Sequence, residues 1–318
     1  MNKVAIGFII AGGVLVTTGC IVMGIALAKG LFNPNRKMVT NEHQVTESFS
    51  NIDITTSIAD VQFIASEDGA CKVTCIEKEK VYHTVEVVND TLTIKIVDEL
   101  VGIEKWGGYT GNFKLMVYLP NNAYENLKIN ISTGDTLIDG YTFTNVDITS
   151  STGDIAISNG VVANDLKLNV TTGDVLVREL IVDHSFNVTS STGYQAYDHV
   201  TADCDINLTA TTGRLVLSDM TCVNANLETS TGDMVFTEFV ASGDFKAEAS
   251  TGDITFHNSD AATLKIKTST GDVTGNLLTE KSFHTKTSTG KVNVPSTTGP
   301  LCDIETSTGD IIFTIGKK

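Results

Sequence analysis

Alternating apolar and polar residues dominate the chain after residue 50, and this pattern is typical of β-strands. Six short runs before residue 121 alternate in this way: 51–55, 60–64, 72–76, 84–87, 91–96 and 113–120. From residue 126 onward, shorter alternating runs recur at a step of 19 or 20 residues. The pattern therefore predicts an all-β chain whose C-terminal part is an internal repeat.

A Ser/Thr-Thr-Gly tripeptide marks each repeat. Positions seven and five residues before its glycine, and two and four residues after it, are mostly apolar. Because side chains two residues apart on a strand lie on the same face, each unit is predicted to hold two short strands around a glycine corner. The corner glycines are Gly134, Gly153, Gly173, Gly193, Gly213, Gly232, Gly252, Gly271, Gly290 and Gly309.

The segment between successive units is too short for a crossover helix, so similar strands are expected to stack on one another. We predict a β-solenoid, a single-chain parallel β-helix of about ten coils, over residues 126–318, and an N-terminal β cap of degenerate repeats over 48–125. The cap would protect the open edge of the first coil. An antiparallel hairpin in each unit is the alternative, although hairpins favour Asn-Gly or Asp-Gly at the turn.

An uncharged, mainly apolar stretch spans residues 4–28, after a short N-terminus at 1–3. At about 1.5 Å per residue it is long enough to cross a membrane, so we predict a single-pass transmembrane helix followed by a polar stalk at 29–47. A lipoprotein signal ending at Cys20 and a cleaved signal peptide are the alternatives. Positive charges on the two sides are nearly balanced. The short N-terminus and the long β-rich remainder favour an extracellular C-terminal domain in the cell membrane.

The charge balance narrows the choice of partner. The chain has 38 acidic and 22 basic residues and a formal net charge of -16. Nucleic acid is excluded as a default partner, because binding to phosphates needs a basic surface. Attraction to anionic lipid headgroups is not expected either, so contact with the membrane is assigned to residues 4–28.

Aspartate follows seven of the ten corner glycines. Its side chain bonds turn amides readily, which makes it a common turn residue. A column of carboxylates one coil apart would also suit calcium, although Tyr194, Arg214 and Lys291 interrupt the column. Both interpretations stay open, and no other cofactor is expected. The calcium candidates are Asp135, Asp154, Asp174, Asp233, Asp253, Asp272 and Asp310.

A glycine-rich segment at 98–112 interrupts the cap and carries Trp106 and Tyr109. Exposed aromatic side chains on a loop are typical of a contact site, here for a protein or a cell-wall glycan. The alternative is that these aromatic residues fold back onto the cap.

The chain carries none of the common catalytic motifs, such as Gly-x-Ser-x-Gly or His-Glu-x-x-His, and its six histidines do not cluster in sequence. A protein without enzymatic activity is expected. A polysaccharide hydrolase or lyase, with carboxylates from separate coils, is the alternative. Cys204 and Cys222 occupy neighbouring loops that stacking would bring to disulfide distance, whereas Cys302 in an apolar column is expected to be a buried thiol.

Only nine residues follow Gly309, so the last coil is predicted to be incomplete and to expose a strand edge. Such an edge would pair with a second copy of the chain or with a partner by β-augmentation. The alternative is that Lys317 and Lys318 merely blunt the edge.

These features together resemble the bacterial "putative adhesin" domain family, which is built of β-strand repeats and found in exported or membrane-anchored proteins. The resemblance runs from about Phe49 to Ile315 and rests on five features. They are the strand at 52–54, a degenerate first corner at 56–61, the strands at 90–94 and 117–120, and the glycine corners. The family has no assigned molecular function. The resemblance implies an outward-facing domain in an envelope or stress-response setting and adds no catalytic residues.

The sequence therefore predicts a non-enzymatic, envelope-anchored β-solenoid that acts as a binding, adhesion or scaffold module, with envelope stress signalling as an expected setting. A calcium-binding surface rod and a carbohydrate-active hydrolase are the alternative functions.

Overall fold

The computed structural model describes residues 37–105 and 109–316 of the 318-residue chain. Its regular structure is β-strand, apart from a short helical segment that begins at Gly102. In this part of the chain no helix has the length and apolarity to cross a membrane. The predicted transmembrane helix at 4–28 and its alternatives at Cys20 lie outside the described residues.

Twenty-five strands are described. The N-terminal strands are β1 (Met38–Val45), β2 (Asn51–Thr56), β3 (Ala59–Ala65), β4 (Cys71–Lys78), β5 (Val81–Val88), β6 (Thr91–Asp98) and β7 (Phe113–Leu119). The strands of the repeats are β8 (Ala123–Thr133), β9 (Thr136–Asp139), β10 (Thr142–Thr152), β11 (Ile155–Thr172), β12 (Val175–Val182), β13 (Ser185–Thr192), β14 (Gln195–Ala202), β15 (Asp205–Thr212), β16 (Leu215–Cys222), β17 (Ala225–Thr231), β18 (Met234–Thr237), β19 (Val240–Thr251), β20 (Ile254–Thr270), β21 (Val273–Leu277), β22 (Ser282–Thr289), β23 (Val292–Asn293), β24 (Leu301–Thr308) and β25 (Ile311–Ile315).

The repeats form the predicted β-solenoid, with parallel pairing between equivalent strands of neighbouring coils. For example, β13 pairs in parallel with β11 and β15, and β14 pairs in parallel with β12 and β16. The ten glycine corners therefore lie in one stack and delimit about nine turns. Parallel pairing in register excludes the hairpin alternative for these units.

A coil has further bends besides the glycine corner. Six residues after the corner glycine, seven consecutive coils place a residue with φ between 46° and 80°, a left-handed conformation. The chain bends there and again about four residues later, so each of these coils has three sides. The residues of this second corner are Gly140, Asn159, Glu179, His199, Asp219, Glu238 and Asn258.

The core fills the space between the three sides. The four apolar columns that the sequence predicts are buried along the stack, as with Leu168, Val175 and Val177 at 0% exposure. The third side adds two more buried columns, seven and nine residues after the glycine, which include Leu180 and Val182. The core therefore runs continuously along the solenoid, because each coil repeats the same inward positions.

At the N-terminal end, the first coil in sequence is not the outermost coil in space. Strand β2 pairs in parallel with β6 on one side and with β8 on the other, and β3 likewise pairs with β7 and β9. Strands β2 and β3 therefore form a coil directly beneath the first glycine corner. The predicted cap contains all six expected strands, but four of them, β2, β3, β6 and β7, stack in parallel with the solenoid coils.

The outer part of the cap is antiparallel. Strand β4 pairs with β1 and β7, and β5 pairs with β6. Part of the segment that the sequence predicts as a stalk, Met38–Val45, is therefore a paired strand in this cap. Strand β1 is an edge strand that pairs with β4 alone, so most of its side chains face solvent and are polar. Its sequence therefore resembles that of a linker.

At the C-terminal end, as at the N-terminal end, one coil lies between two others in an order that differs from the order along the chain. Strand β24 lies between β20 and β22, and β25 lies between β21 and β23. The last coil in sequence is thus enclosed, which corrects the expectation that it exposes an open edge. Within the described residues, the outer strands at this end are β22 and β23, and Val292 on β23 is 46% exposed.

Candidate functional site

The glycine corner brings the backbones of neighbouring coils into contact. Gly193 has φ of +147° and its N–H donates to the carbonyl oxygen of Thr212 at 3.1 Å. A Cβ on Gly193 would collide with the carbonyl oxygen of Gly173 in the adjacent coil. Both the dihedral angle and the close approach therefore require glycine.

The aspartate column at these corners is a hydrogen-bond ladder. In every case Oδ1 accepts the backbone N–H of the residue that follows the glycine in a neighbouring coil. Asp135 accepts from the Asp154 N–H at 2.8 Å, and Asp174 accepts from the Tyr194 N–H at 2.7 Å. The same bond is made by Asp154, Asp233, Asp253, Asp272 and Asp310, at 2.7–3.0 Å.

The ladder gives each predicted calcium candidate a structural role. Asp60 extends it into the degenerate first corner, where it accepts the Asp135 N–H at 3.2 Å. One carboxylate oxygen of each aspartate is thus engaged with the backbone. Calcium binding by the remaining oxygens stays a prediction, and among the described residues the group of three donors close enough to share a metal lies in the cap instead.

A second ladder of side chains escaped the sequence analysis. Asn126 Nδ2 donates to Asn51 Oδ1 at 2.6 Å, Asn145 donates to Asn126 at 2.8 Å, and Asn164 donates to Asn145 at 2.9 Å. Asparagine occupies this position in only part of the stack. The recurrence is therefore too short to stand out beside the glycine column.

The predicted contact loop is described at Tyr109 but not at Trp106, which lies outside the described residues. The Tyr109 ring is 38% exposed, and its hydroxyl donates to Asp98 Oδ2 at 2.6 Å. Asp98 also pairs with Lys105 at 3.1 Å. The hydrogen bond ties Tyr109 to the end of β6 and leaves part of its ring accessible.

Every cysteine in the described part of the chain is a buried free thiol. Cys204 and Cys222 therefore do not form a disulfide here, and Cys302 is fully buried as expected. Burial raises the pKa of Cys204 to about 11 and that of Cys302 to about 12. Thiols of this kind are poor nucleophiles because little thiolate forms near neutral pH.

Histidines on the solenoid flank lie beside carboxylates on the open surface. His199 contacts Asp198 through Nδ1 and Asp219 through Nε2, each at 3.0 Å, and its side chain is 60% exposed. His184 lies 3.6 Å from Asp165 and is 76% exposed. Pairs this exposed contribute little to stability. They also differ from the enclosed acid–base groups that hydrolases use.

Two neighbouring depressions lie on the cap. The first, the Phe49 depression, has a volume of 470 Å³ and is lined by residues that include Phe49, Asn122 and Tyr124. The Phe49 and Tyr124 rings stack with centroids 5.9 Å apart and an interplanar angle of 19°. The lining therefore includes two stacked aromatic residues, of which Tyr124 is buried, beside polar groups.

The second, the Tyr118 depression, has a volume of 320 Å³ and adjoins the first, since Ala70 lines both. Glu67, Asp68 and Tyr118 line it, and Lys72 Nζ lies 4.6 Å from the centroid of the Tyr118 ring. Volumes of this size fall within the range of ligand sites in proteins.

A buried polar cluster lies between β1, β4 and β5. Glu77 is 1% exposed, and its Oε1 accepts from Asn41 Nδ2 at 2.6 Å. Its Oε2 lies 2.7 Å from the His83 backbone N–H and 2.9 Å from His83 Nδ1, while His83 Nε2 lies 2.9 Å from the Thr56 hydroxyl. Burial works to raise the pKa of Glu77, but the hydrogen bonds from His83 and Asn41 outweigh it and leave that pKa lowered.

Cys75 and His43 complete this cluster. Cys75 is fully buried, and its pKa is raised to about 12, first by burial and then by the charge of Glu77. A ring nitrogen of His43, the Cys75 sulfur and a Glu77 carboxylate oxygen all lie within 4.8 Å of one another. The sequence analysis missed this cluster, because His43 falls in the predicted stalk and the three residues follow no spaced motif.

Comparisons with solved structures return proteins of low sequence identity that the chain spans almost completely. A "putative adhesin" from Bacteroides fragilis is 14% identical, with 88% of this chain and 99% of that chain covered and a TM-score of 0.39. A "putative adhesin" from Parabacteroides distasonis is 16% identical, with 78% and 99% covered and a TM-score of 0.48. A "putative lipid binding protein" from Parabacteroides distasonis is 14% identical, with 85% and 97% covered and a TM-score of 0.38.

No functionally curated protein matches the chain. The sequence pattern of one family does, first over residues 49–234 and again over 221–316, and the two segments together span most of the chain. They contain the degenerate first corner, strands β2 to β7 and all ten glycine corners. The chain therefore belongs to the Toastrack DUF4097 family.

Proposed function

We propose that this protein is a non-enzymatic binding module, held at the cell envelope by residues 4–28, whose cap binds a cell-wall glycan outside the cell. The observation that carries the proposal is the pair of adjoining depressions on the cap. They combine aromatic ring faces with carboxylate, amide and hydroxyl groups. Sugars offer apolar C–H faces and many hydroxyl groups, and such mixed surfaces complement both.

The solenoid supports this function as a rigid scaffold for the cap. Its coils pair through continuous parallel ladders and bury one core, so the cap is carried on a stiff body rather than on a linker. The Asp residues at the corners accept backbone hydrogen bonds from neighbouring coils, so they stabilise the stack and are not assigned to the ligand. The acidic balance of the chain, with 38 acidic against 22 basic residues, favours a neutral or cationic ligand over a polyanion. No contact among the described residues points to a role in stress signalling.

Co-sedimentation with purified, insoluble cell-wall glycan tests the binding function. The full-length chain is expected to sediment with the glycan, and Tyr118→Ala and Glu67→Ala are each expected to weaken this binding about tenfold or more. Glu67 is exposed on a turn, so its replacement should leave the fold intact. Tyr82→Ala is the matched control, because Tyr82 lies on the cap strand β5 and lines neither depression.

Two results would contradict the proposal. One is that the full-length chain does not sediment with the glycan at all. The other is that both variants bind as well as the Tyr82→Ala control, which would move the contact surface away from these depressions.

Placement in the envelope has its own test: protease added to intact cells should digest the β-rich part. Protection of that part until the cells are broken would contradict an outward orientation.

A further inference from the structure

The buried cluster in the cap contains three side chains with metal-binding atoms on one face of the β1–β4 pair. In the antiparallel register, Asn41 lies opposite Cys75 and His43 lies opposite Val73. His43 is therefore the diagonal neighbour of Cys75, and Glu77 follows Cys75 by two residues on the same face. The strand register alone thus brings an imidazole, a thiol and a carboxylate together.

The imidazole of His43 lacks the partner that a buried polar group normally has. Its Nε2 atom is buried without a hydrogen-bond partner, although five other polar side-chain atoms in the described chain share that property. Buried polar groups are rarely left unpaired, because desolvation costs about 1–3 kcal/mol. A cation bound between His43, Cys75 and Glu77 would give this nitrogen a partner.

The separation of the three donors suits a small tetrahedral ion. Zinc bonds of about 2.0–2.3 Å at tetrahedral angles place neighbouring donors roughly 3.4–3.7 Å apart. The donors here lie within 4.8 Å of one another, so a contraction of about 1 Å would bring them to that distance. Side-chain rotation supplies a movement of this size without changing the strand register.

The chemistry of the donors selects among metals. A histidine nitrogen, a cysteine sulfur and a carboxylate oxygen form a ligand set typical of zinc, whereas calcium and magnesium take oxygen ligands almost exclusively. Glu77 is already held in place, since Asn41 and His83 occupy both of its oxygens with hydrogen bonds. In many zinc sites outer residues orient the ligands in just this manner.

We propose that His43, Cys75 and Glu77 form a zinc site that fastens strand β1 to the cap, with Asn41 and His83 as positioning residues. A fourth ligand would be water, admitted beside His43, which is only partly buried. The site lies on β1, the first described strand after residues 1–36. Zinc would therefore reinforce the point at which the β-rich part of the chain begins. This site is separate from the two depressions, so it stands or falls independently of glycan binding.

Cobalt(II) titration of the purified, chelator-treated full-length chain tests the site. A thiolate bound to cobalt absorbs in the near ultraviolet, so one equivalent of cobalt is expected to produce this charge-transfer band and zinc to remove it. Cys75→Ser should abolish the band, and His43→Ala should weaken zinc binding at least about tenfold. His43 lies at a polar edge strand, so the His43→Ala protein should still fold.

Cys71→Ala is the matched control. Cys71 lies on the same strand and the same face as Cys75, it is 7% exposed, and it is not one of the three donors. The control is expected to keep both the band and the zinc affinity of the unchanged chain. Absence of the band in the unchanged chain would overturn the proposal. So would loss of the band in Cys71→Ala, or zinc binding that His43→Ala leaves unaltered.

Discussion

At the scale of single residues, the aspartates of the corner column act as backbone caps. Each of the seven spans to a neighbouring coil and accepts an N–H that has no other acceptor in its own turn. A carboxylate is a strong acceptor, and hydrogen bonds to a charged group stabilise more than neutral ones do. Neighbouring carboxylates one coil apart repel each other, and the high dielectric constant of the surrounding water weakens this repulsion.

Substitution at Asp253 separates this role from calcium binding. Asp253 accepts the Asp272 N–H at 2.8 Å and its own N–H donates to Asp233 at 3.0 Å. Asp253→Ala is expected to lower the free energy of unfolding by about 1–2 kcal/mol, because it removes the acceptor. Asp253→Asn should cost less than about half of that, since the amide oxygen still accepts. Denaturant unfolding measures both.

The calcium alternative predicts a different ranking in calcium-containing buffer. If calcium joined the column, Asn would lose the charge that binds it, and both variants would show the same loss in calcium-containing buffer. A chelator would then lower the melting temperature of the unchanged protein by more than that of either variant, because each variant keeps six of the seven candidate aspartates. Capping by hydrogen bonds predicts that the chelator leaves the ranking of the three proteins unchanged.

At the scale of the coil, two corners with different chemistry alternate along the chain. The first requires glycine, because the backbones of adjacent coils touch there. The second has a left-handed conformation, and nothing lies within 4 Å of the Cβ position of Gly140. The equivalent positions of the other coils hold Asn, Glu, His and Asp. Left-handed dihedral angles cost a residue with a Cβ roughly 1 kcal/mol, which packing of a whole coil can offset.

Glycine substitutions should therefore differ sharply between the two corners. Gly213→Ala is expected to destabilise the protein by at least about 3 kcal/mol, because its Cβ would overlap the carbonyl of Gly193 at φ of +154°. Gly140→Ala should cost only about 1 kcal/mol, because nothing lies within 4 Å of its Cβ position. Thermal and denaturant unfolding measure the difference. Equal losses would show that conformational strain, rather than contact between coils, sets the requirement.

At the scale of the whole molecule, both ends of the solenoid are closed by threading a coil between two others. Strands β2 and β3 do this at the N-terminal end, and β24 and β25 do it at the C-terminal end. A terminal segment held on both sides cannot fray one coil at a time. This arrangement places strands β2, β3, β24 and β25 among the better protected strands.

Alanine substitution of two phenylalanines tests the threading. Phe313 on β25 is 2% exposed and contacts Phe256 and Phe283, at centroid distances of 5.9 and 5.8 Å. Phe313→Ala should cost about 3–5 kcal/mol, as for a core position. Phe283→Ala, in the outer coil, should cost about 1–2 kcal/mol. An open last coil would give the reverse order in denaturant unfolding, with the smaller loss at Phe313.

Self-association through the C-terminal end remains a prediction, but the strands expected to pair with a second copy are different from those that the sequence indicates. The outer strands there are β22 and β23, so a second copy would pair with them rather than with β25. Ile312, the neighbour of Phe313, is paired with both Thr274 and Asn293. Replacing Ile312 with proline would thus disrupt the fold itself, so this variant cannot test self-association separately from folding.

Sequence alone determined the all-β class, the parallel stack, the ten glycine corners and the four apolar columns around them. It could do so because every coil repeats the same local requirement, so each column is observed about ten times over. The left-handed second corner was invisible, because several residue types occupy it. Only the tertiary structure decided the order of the end coils, since pairing across tens of residues leaves no periodic trace. It also decided the buried cluster of His43, Cys75 and Glu77, which exists only through the register of β1 against β4.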